Sequence, residues 1–295
     1  MARRIIINAD DLGVHPGTDA GIIDAYSQGV LTSATLLTTT PWLEDAVRRA
    51  KAVDLPLGIH LSLTIGQSRE SKAAVPDLVD ENGTLHRSAA EILFTNQRRD
   101  GTNHLISQIK AEFEAQFAAA ADCGVKLTHC DSHQHVHMHP AIYAVVEELA
   151  PRFGVRRIRF VRERLYAFEL GRDLPNTIGR NNHAKWLLLS WLARRIQCRV
   201  ETAEEFFGVK YSGVTTERAL LGVLRGTRAD TLEIGIHPGR KVDPCDTGYD
   251  RSNYIGFISS SWRQRELDAL CGGAIADELK VLGAVLCDYE GRSKE

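Results

Sequence analysis

No cysteine in this chain has a partner at CxxC or zinc-finger spacing. The six cysteines (Cys123, Cys130, Cys198, Cys245, Cys271 and Cys287) are scattered, which argues against a thiolate-closed structural metal site and reads as reduced thiols of a cytoplasmic protein. There is no long apolar run: the N-terminal stretch Ile5-Ile6-Ile7 soon meets Asn8 and Asp10, too short for a signal peptide or a membrane span. Charge bias is missing as well. A formal net charge of −2 gives no electrostatic reason to expect nucleic acid or an anionic membrane as the main partner. Nor is there a repeat or a low-complexity linker, so nothing marks a domain boundary. The expectation is a single domain over 1–295 with an insertion or rim segment at about 66–100.

What is present is a recurring unit, a strand-like apolar run followed by an amphipathic helix. Strands are expected at Ile5–Ala9, Ser33–Thr38, Leu57–Leu63, Lys126–His133, Arg156–Val161, Thr231–Ile236 and Ala284–Asp288. Helices are expected at Thr18–Gln28, Leu43–Val53, Thr102–Cys123, Ala141–Pro151, Ala184–Arg195, Thr216–Leu224, Trp262–Cys271 and Asp277–Leu282. Alternating βα units imply an α/β fold with a parallel sheet. About seven strands, with polar residues gathered at their C-terminal ends, favour a distorted, TIM-like (β/α) barrel over an open sheet.

Five of the eleven histidines fall between His129 and His139. His129, Asp131, His133, His135, His137 and His139 occupy every second position, the period of a β-strand, so an extended run would put them all on one face. A buried face of imidazoles and a carboxylate needs partners, and a divalent metal satisfies several at once; the alternative is a solvated stripe. Three further signals sit at strand ends. Asp10-Asp11 offers two carboxylates facing different ways, one for a metal and one for a proton, although an aspartate before a helix is also a common N-cap. His60 lies in a mostly apolar strand, where a histidine taken alone is more often a hydrogen-bonded core residue than a ligand. His237 follows Glu233-Ile-Gly-Ile and precedes Pro238-Gly239, where it could also be a structural turn residue. One Asp and two His suit a catalytic metal with open positions. Mixed N/O donors fit Zn2+, Co2+, Mn2+ or Ni2+, while Mg2+ prefers more oxygens.

Six ordered stretches, NADDLG (8–13), GVLTSATLLT (29–38), GIHLSLT (58–64), THCDSHQHVHMHP (128–140), RIRFVRE (157–163) and IHPG (236–239), resemble the YdjC-like family of carbohydrate deacetylases. The resemblance covers nearly the whole chain. It implies a barrel related to the polysaccharide deacetylases, one divalent metal ion (Mg2+ or Zn2+ foremost), a homodimer, and hydrolysis of an N-acetyl group from an amino sugar. The family's metal triad carries onto Asp11, His60 and His133, and its catalytic base onto Asp10. The sequence departs from the family pattern at Leu12, Ile59 and Val161, where phenylalanine, leucine and proline are usual; the last is expected to alter the rim that meets the sugar.

On that reading His237 is the general acid, with His135 or His137 as the alternative or as groups orienting His133. Arg159 and Glu233 orient such groups or hold sugar hydroxyls. The polar segment 66–100 is expected to be part of the substrate rim, with surface disorder as the alternative. Segment 184–195, with Trp186, Trp191 and a basic end, reads as a core helix or dimer face, or as a patch for peripheral membrane contact. Two rival functions are a metal-dependent phosphoesterase or amidohydrolase on a similar barrel, and a non-catalytic sugar-binding protein.

Overall fold

The computed structural model describes residues 2–94, 102–166, 168, 181–246, 248–249 and 252–294. Seven parallel strands make one curled sheet: β1 (Arg4–Leu12), β2 (Ser33–Leu36), β3 (Leu57–Leu61), β4 (Leu127–Ser132), β5 (Glu205–Phe207), β6 (Thr231–Ile236) and β7 (Val285–Leu286). Their order is β4-β3-β2-β1-β6-β5, and β7 pairs with the start of β1. The result is a half-barrel, as expected of a distorted TIM-like fold. The helices that follow the strands include α1 (Pro16–Gln28), α2 (Leu43–Lys51), α3 (Ala89–Leu93), α4 (Thr102–Asp122), α5 (Pro140–Leu149), α6 (Asn182–Ala193) and α7 (Glu217–Gly226). Three more, α8 (Ser252–Ile258), α9 (Ser261–Cys271) and α10 (Ala274–Leu282), precede β7.

Helix α2 shows how local sequence produces these units. Leu43, Ala46, Val47 and Ala50 form its buried stripe at i, i+3, i+4 and i+7. Its acids, Glu44 and Asp45, lie in the first turn and its bases, Arg48, Arg49 and Lys51, in the last, matching the helix dipole. Strand β1 is buried from Ile5 to Leu12, which is why it reads as a continuous apolar run at the centre of a sheet covered on both faces.

The expected strand at 156–161 is not a named strand. It is an extended segment that spans the gap between β4 and β5: the Arg159 amide donates to the Cys130 carbonyl at 2.9 Å, and the Phe206 amide donates to the Arg162 carbonyl at 3.1 Å. Val161 is buried in the core, so it does not meet a substrate rim. The histidine run is also corrected. Only residues up to Ser132 are strand, and His133–Met138 turns into a short 3-10 segment in which Gln134 and His135 have left-handed backbones, φ 56 and 59°. The six alternating positions therefore do not share one face.

The described part of the 66–100 segment, up to Phe94, is pinned rather than loose; 95–100 lie outside the described residues. Helix α4 presents Gln108, Glu112 and Gln116, one turn apart and all buried. Gln116 brackets Ser62, accepting its N–H at 2.9 Å and donating to its carbonyl at 2.6 Å. Glu112 accepts the amides of Arg69 and Glu70 at 3.1 Å, and Gln108 accepts that of Asp77 at 2.9 Å. Helix α6 is two-sided: Leu189 and Leu192 are buried while Leu187 and Trp191 face outward. Among the described residues no helix is long and apolar enough to cross a membrane.

The loop leaving β1 is fixed by Asp19, in the first turn of α1, which accepts the Gly13 amide at 2.7 Å. Burial raises the Asp19 carboxyl from 3.8 to about 7, the Gly13 hydrogen bond only partly opposing this. Its extra proton affinity stabilises the fold fully below 3.8, and this contribution is lost as pH rises through about 7. Asp19→Asn keeps the acceptor without the charge. It is expected to lose less stability than the wild type between pH 5 and 8, by about 2.5 kcal/mol, read from urea midpoints at the two pH values.

Candidate functional site

A cleft of about 380 Å³ opens at the C-terminal ends of the strands, with Asp10, His60, His133, His135 and His237 in its lining. Asp10 and Asp11 close β1, where the register with β2 shifts between Ala9 and Leu12. Asp11 has φ 70°, a left-handed conformation that aspartate tolerates better than most residues. The N-cap alternative for this pair does not hold, since the cap of α1 is His15, whose Nδ1 accepts from Gly17 at 3.0 Å.

Asp11, His60 and His133 converge as buried donors from β1, β3 and the turn after β4. Asp11 Oδ1 lies 3.4 Å from His60 Nε2 and 3.1 Å from His133 Nδ1. Donors about 2.1 Å from a shared ion sit about 3.0–3.4 Å apart in octahedral or tetrahedral geometry, so this set fits a divalent metal with little movement. The remaining His60 nitrogen, Nδ1, is 2.6 Å from Asp131 Oδ1, the carboxylate–histidine arrangement that fixes a ligating imidazole. Burial opposes charge on His60, but Asp131 and Asp11 outweigh it and push its value up to about 10. The carboxylates thus stabilise a positive charge at His60, which a bound cation would supply in place of that proton.

Asp10 is held differently. The Arg159 guanidinium clamps both its oxygens at 2.8 Å, and Asn8 donates to Oδ1 at 3.0 Å. Burial raises the Asp10 carboxyl, yet Arg159 overrides this and keeps it below the usual carboxylate range. The same guanidinium meets Asp131 at 2.7 Å and also binds Glu233. A second donor group, Asp10, His60 and Asp131, also satisfies metal-like spacing. Arg159 already supplies its positive charge, so the geometry favours one ion rather than two.

His237 lines the cleft with Nε2 3.9 Å from Asp10 Oδ2, and its amide is fixed by Glu266 at 2.6 Å. Burial lowers it to about 4 against the pull of Asp11 and Asp10. His135 also faces the cleft, and its Nδ1 has no hydrogen-bond partner among the described residues. His137 turns into the core: Nδ1 meets Ser132 Oγ at 2.6 Å and Nε2 meets the Arg159 carbonyl at 3.0 Å, leaving no nitrogen for a substrate. Arg159 and Glu233 are buried and bound to each other, and Arg159 holds the carboxylates of Asp10 and Asp131.

Two residues, Arg263 and Lys185, join the site without a sequence signal. Arg263 of α9 donates to Asp11 Oδ2 at 3.1 Å, and Lys185 of α6 reaches the cleft lining, where burial lowers its ammonium to about 8. His129 meets Asn8 Oδ1 at 3.0 Å and Tyr289 in a stacked pair. Asp131 lies in the histidine run and could have been paired with His60 had the β3–β4 register been known.

The model of the YdjC-like protein family matches residues 4–281. The chain belongs to this family. A carbohydrate deacetylase of Geobacillus stearothermophilus is 41% identical over 293 residues, 98% of each chain. A chitooligosaccharide deacetylase of Serratia marcescens is 34% identical over 177 residues, 59% of this chain and 66% of the other. A crystal structure from Enterococcus faecalis V583, named as a candidate cellobiose-phosphate cleavage protein, superposes over the whole length of both chains with a TM-score of 0.72 at 24% identity and supports the fold.

Removing Arg159 would leave Asp10, Asp131 and Glu233 buried together without the guanidinium that all three share. Arg159→Met is expected to lower stability by about 3–5 kcal/mol, measured by urea denaturation at pH 7.

Proposed function

We propose that the protein is a divalent-metal-dependent hydrolase that removes the acetyl group from an N-acetylated amino sugar and releases acetate. The observation that carries this is the buried Asp11–His60–His133 triad with Asp10 and His237 beside it on the same cleft floor; the names of its relatives point the same way. A bound ion supplies Lewis acidity towards a carbonyl oxygen and eases deprotonation of water.

The chain's own groups supply the rest. Asp10 is the base: ionised and clamped by Arg159, it gives up some basicity for a fixed position and accepts the proton of the attacking water. His237 is the acid that protonates the departing amine. It is neutral in the resting protein, so it must first gain a proton, and Asp10 at 3.9 Å is placed to pass one on. Asp131 positions His60, and Arg263 holds the outer oxygen of Asp11. Two imidazoles and one carboxylate favour Zn2+, Co2+, Mn2+ or Ni2+ over Mg2+. Six unpaired cysteines fit a reducing compartment such as the cytoplasm.

The phosphoesterase and amidohydrolase alternatives are less well served, because the second carboxylate cluster is filled by Arg159. A non-catalytic sugar binder has no use for a base and an acid flanking the triad.

Acetate release from N-acetylated amino sugars should stop on chelation and return with added divalent ion, and His133→Ala should stay inactive at any ion concentration while keeping its circular dichroism spectrum. Full activity in that variant would remove the triad from the reaction. Asp131→Asn is expected to weaken ion binding about 10–100-fold, measured by calorimetric titration of the ion-free protein.

A further inference from the structure

Helix α6 carries apolar residues on two faces, and only one of them is covered. Leu189 and Leu192 are buried in the core, while Leu187, 60% exposed, and Trp191, 50% exposed, lie one turn apart on the other side. At about 3.6 residues per turn, the exposed residues Ala184, Arg194 and Arg195 fall within the same outward arc. A surface helix normally turns charged and polar groups to water. An outward stripe of leucine and tryptophan marks a face that meets something else. We infer that this face of α6 is a docking surface for an anionic lipid membrane, on which the protein rests without crossing it.

Charge selects that occupant. Residues 181–200 contain Lys185, Arg194, Arg195 and Arg199 and no aspartate or glutamate. Neither Arg194 nor Arg195 meets a carboxylate among the described residues. The nearby acids are engaged elsewhere: Glu147 accepts the Arg199 amide at 2.7 Å, and Glu201 pairs with Arg157 at 2.6 Å. The chain as a whole has a net charge of −2, so this basic edge is a local feature. The Arg195 guanidinium lies 3.3 Å from the centre of the Trp191 ring and donates to the Trp191 carbonyl at 3.0 Å. An indole flanked by cations suits the boundary between acyl chains and anionic headgroups, the ring entering the one and the arginines meeting the other. A second copy of the chain fits less well. Pairing the stripe with itself would cover Leu187 and Trp191 but leave the arginines unanswered, because α6 offers no carboxylate in either direction.

The stripe also has a fixed place relative to the cleft. The first turn of α6 supplies Asn182 and Lys185 to the cleft lining, and the outward residues begin beside them at Ala184 and Leu187. Asn182 ties that turn down by donating to the carbonyls of Lys210 at 3.0 Å and Ser212 at 3.1 Å. One turn on, Trp186 Nε1 donates to the Glu163 carbonyl at 2.7 Å. The helix is therefore anchored along its inner side, and a membrane held against its outer side lies next to the mouth of the cleft.

The test is co-sedimentation of the full chain with vesicles of phosphatidylcholine alone and of phosphatidylcholine and phosphatidylglycerol in equal parts. It uses the wild type, Leu187→Glu, Trp191→Glu and the double variant Arg194→Glu/Arg195→Glu; all four positions are exposed, and circular dichroism checks that the fold is kept. The wild type should bind the anionic vesicles about tenfold or more tightly than the neutral ones, with the difference shrinking as salt rises. Each variant should weaken binding to the anionic vesicles about tenfold. Wild-type protein that stays in the supernatant overturns the docking surface, and so does equal binding to both vesicle types or binding unchanged in the two apolar variants. A dimer in size-exclusion chromatography that Leu187→Glu dissociates, with no vesicle binding, gives the stripe to a second copy instead. Acetate release from a water-soluble N-acetylated amino sugar reports on the cleft alone and should be the same in all four proteins, so docking and hydrolysis stand or fall separately.

Discussion

One buried guanidinium organises this protein. Arg159 lies among Asp10, Asp131 and Glu233 with no exposed surface, and each of those carboxylates has a separate task. Asp10 faces the cleft, Asp131 steers His60, and Glu233 anchors the far side of the guanidinium. Burying three carboxylates together is unfavourable unless a fixed cation and hydrogen bonds answer them. Arg159 does this from an extended segment held between β4 and β5, so the closure of the half-barrel and the charge state of the site depend on each other.

The same arrangement separates two electrostatic environments a few ångströms apart. On one side Arg159 saturates Asp10 and Asp131 with permanent positive charge. On the other, Asp11 faces two imidazoles, and Arg263 touches only its outer oxygen. On the proposed function, the inner oxygen and the imidazoles are the donors that would hold an exchangeable ion, while the fixed guanidinium in the neighbouring cluster keeps Asp10 ionised.

Much of this was legible from sequence because its signals are local. Asp10-Asp11, His60, His133 and His237 each sit at or near the end of an expected strand, and the parallel fold collects strand ends at one rim. The two-residue period of the histidine run, however, persisted beyond the strand that gave it meaning. At Gln134 and His135 the backbone turns left-handed, sending His135 to the cleft and His137 to the core, and no periodicity distinguishes them. Arg263 and Lys185 were illegible for a different reason. Each is one charged residue on a helix, and its role is set by packing against strands more than fifty residues away in the chain. Strand β5, three residues long, is too short to show a period at all.

The division of labour along the chain has a consequence for how the fold comes into being. Asp10, Asp11 and Asp131 all precede residue 132, whereas the guanidiniums that answer them, Arg159 and Arg263, arrive later. A nascent fragment ending after β4 would have to bury three aspartates without a guanidinium, answered by Asn8, Thr35 and His60 alone. The interior charge balance of the first four strands is therefore completed only by residues that follow them in the chain.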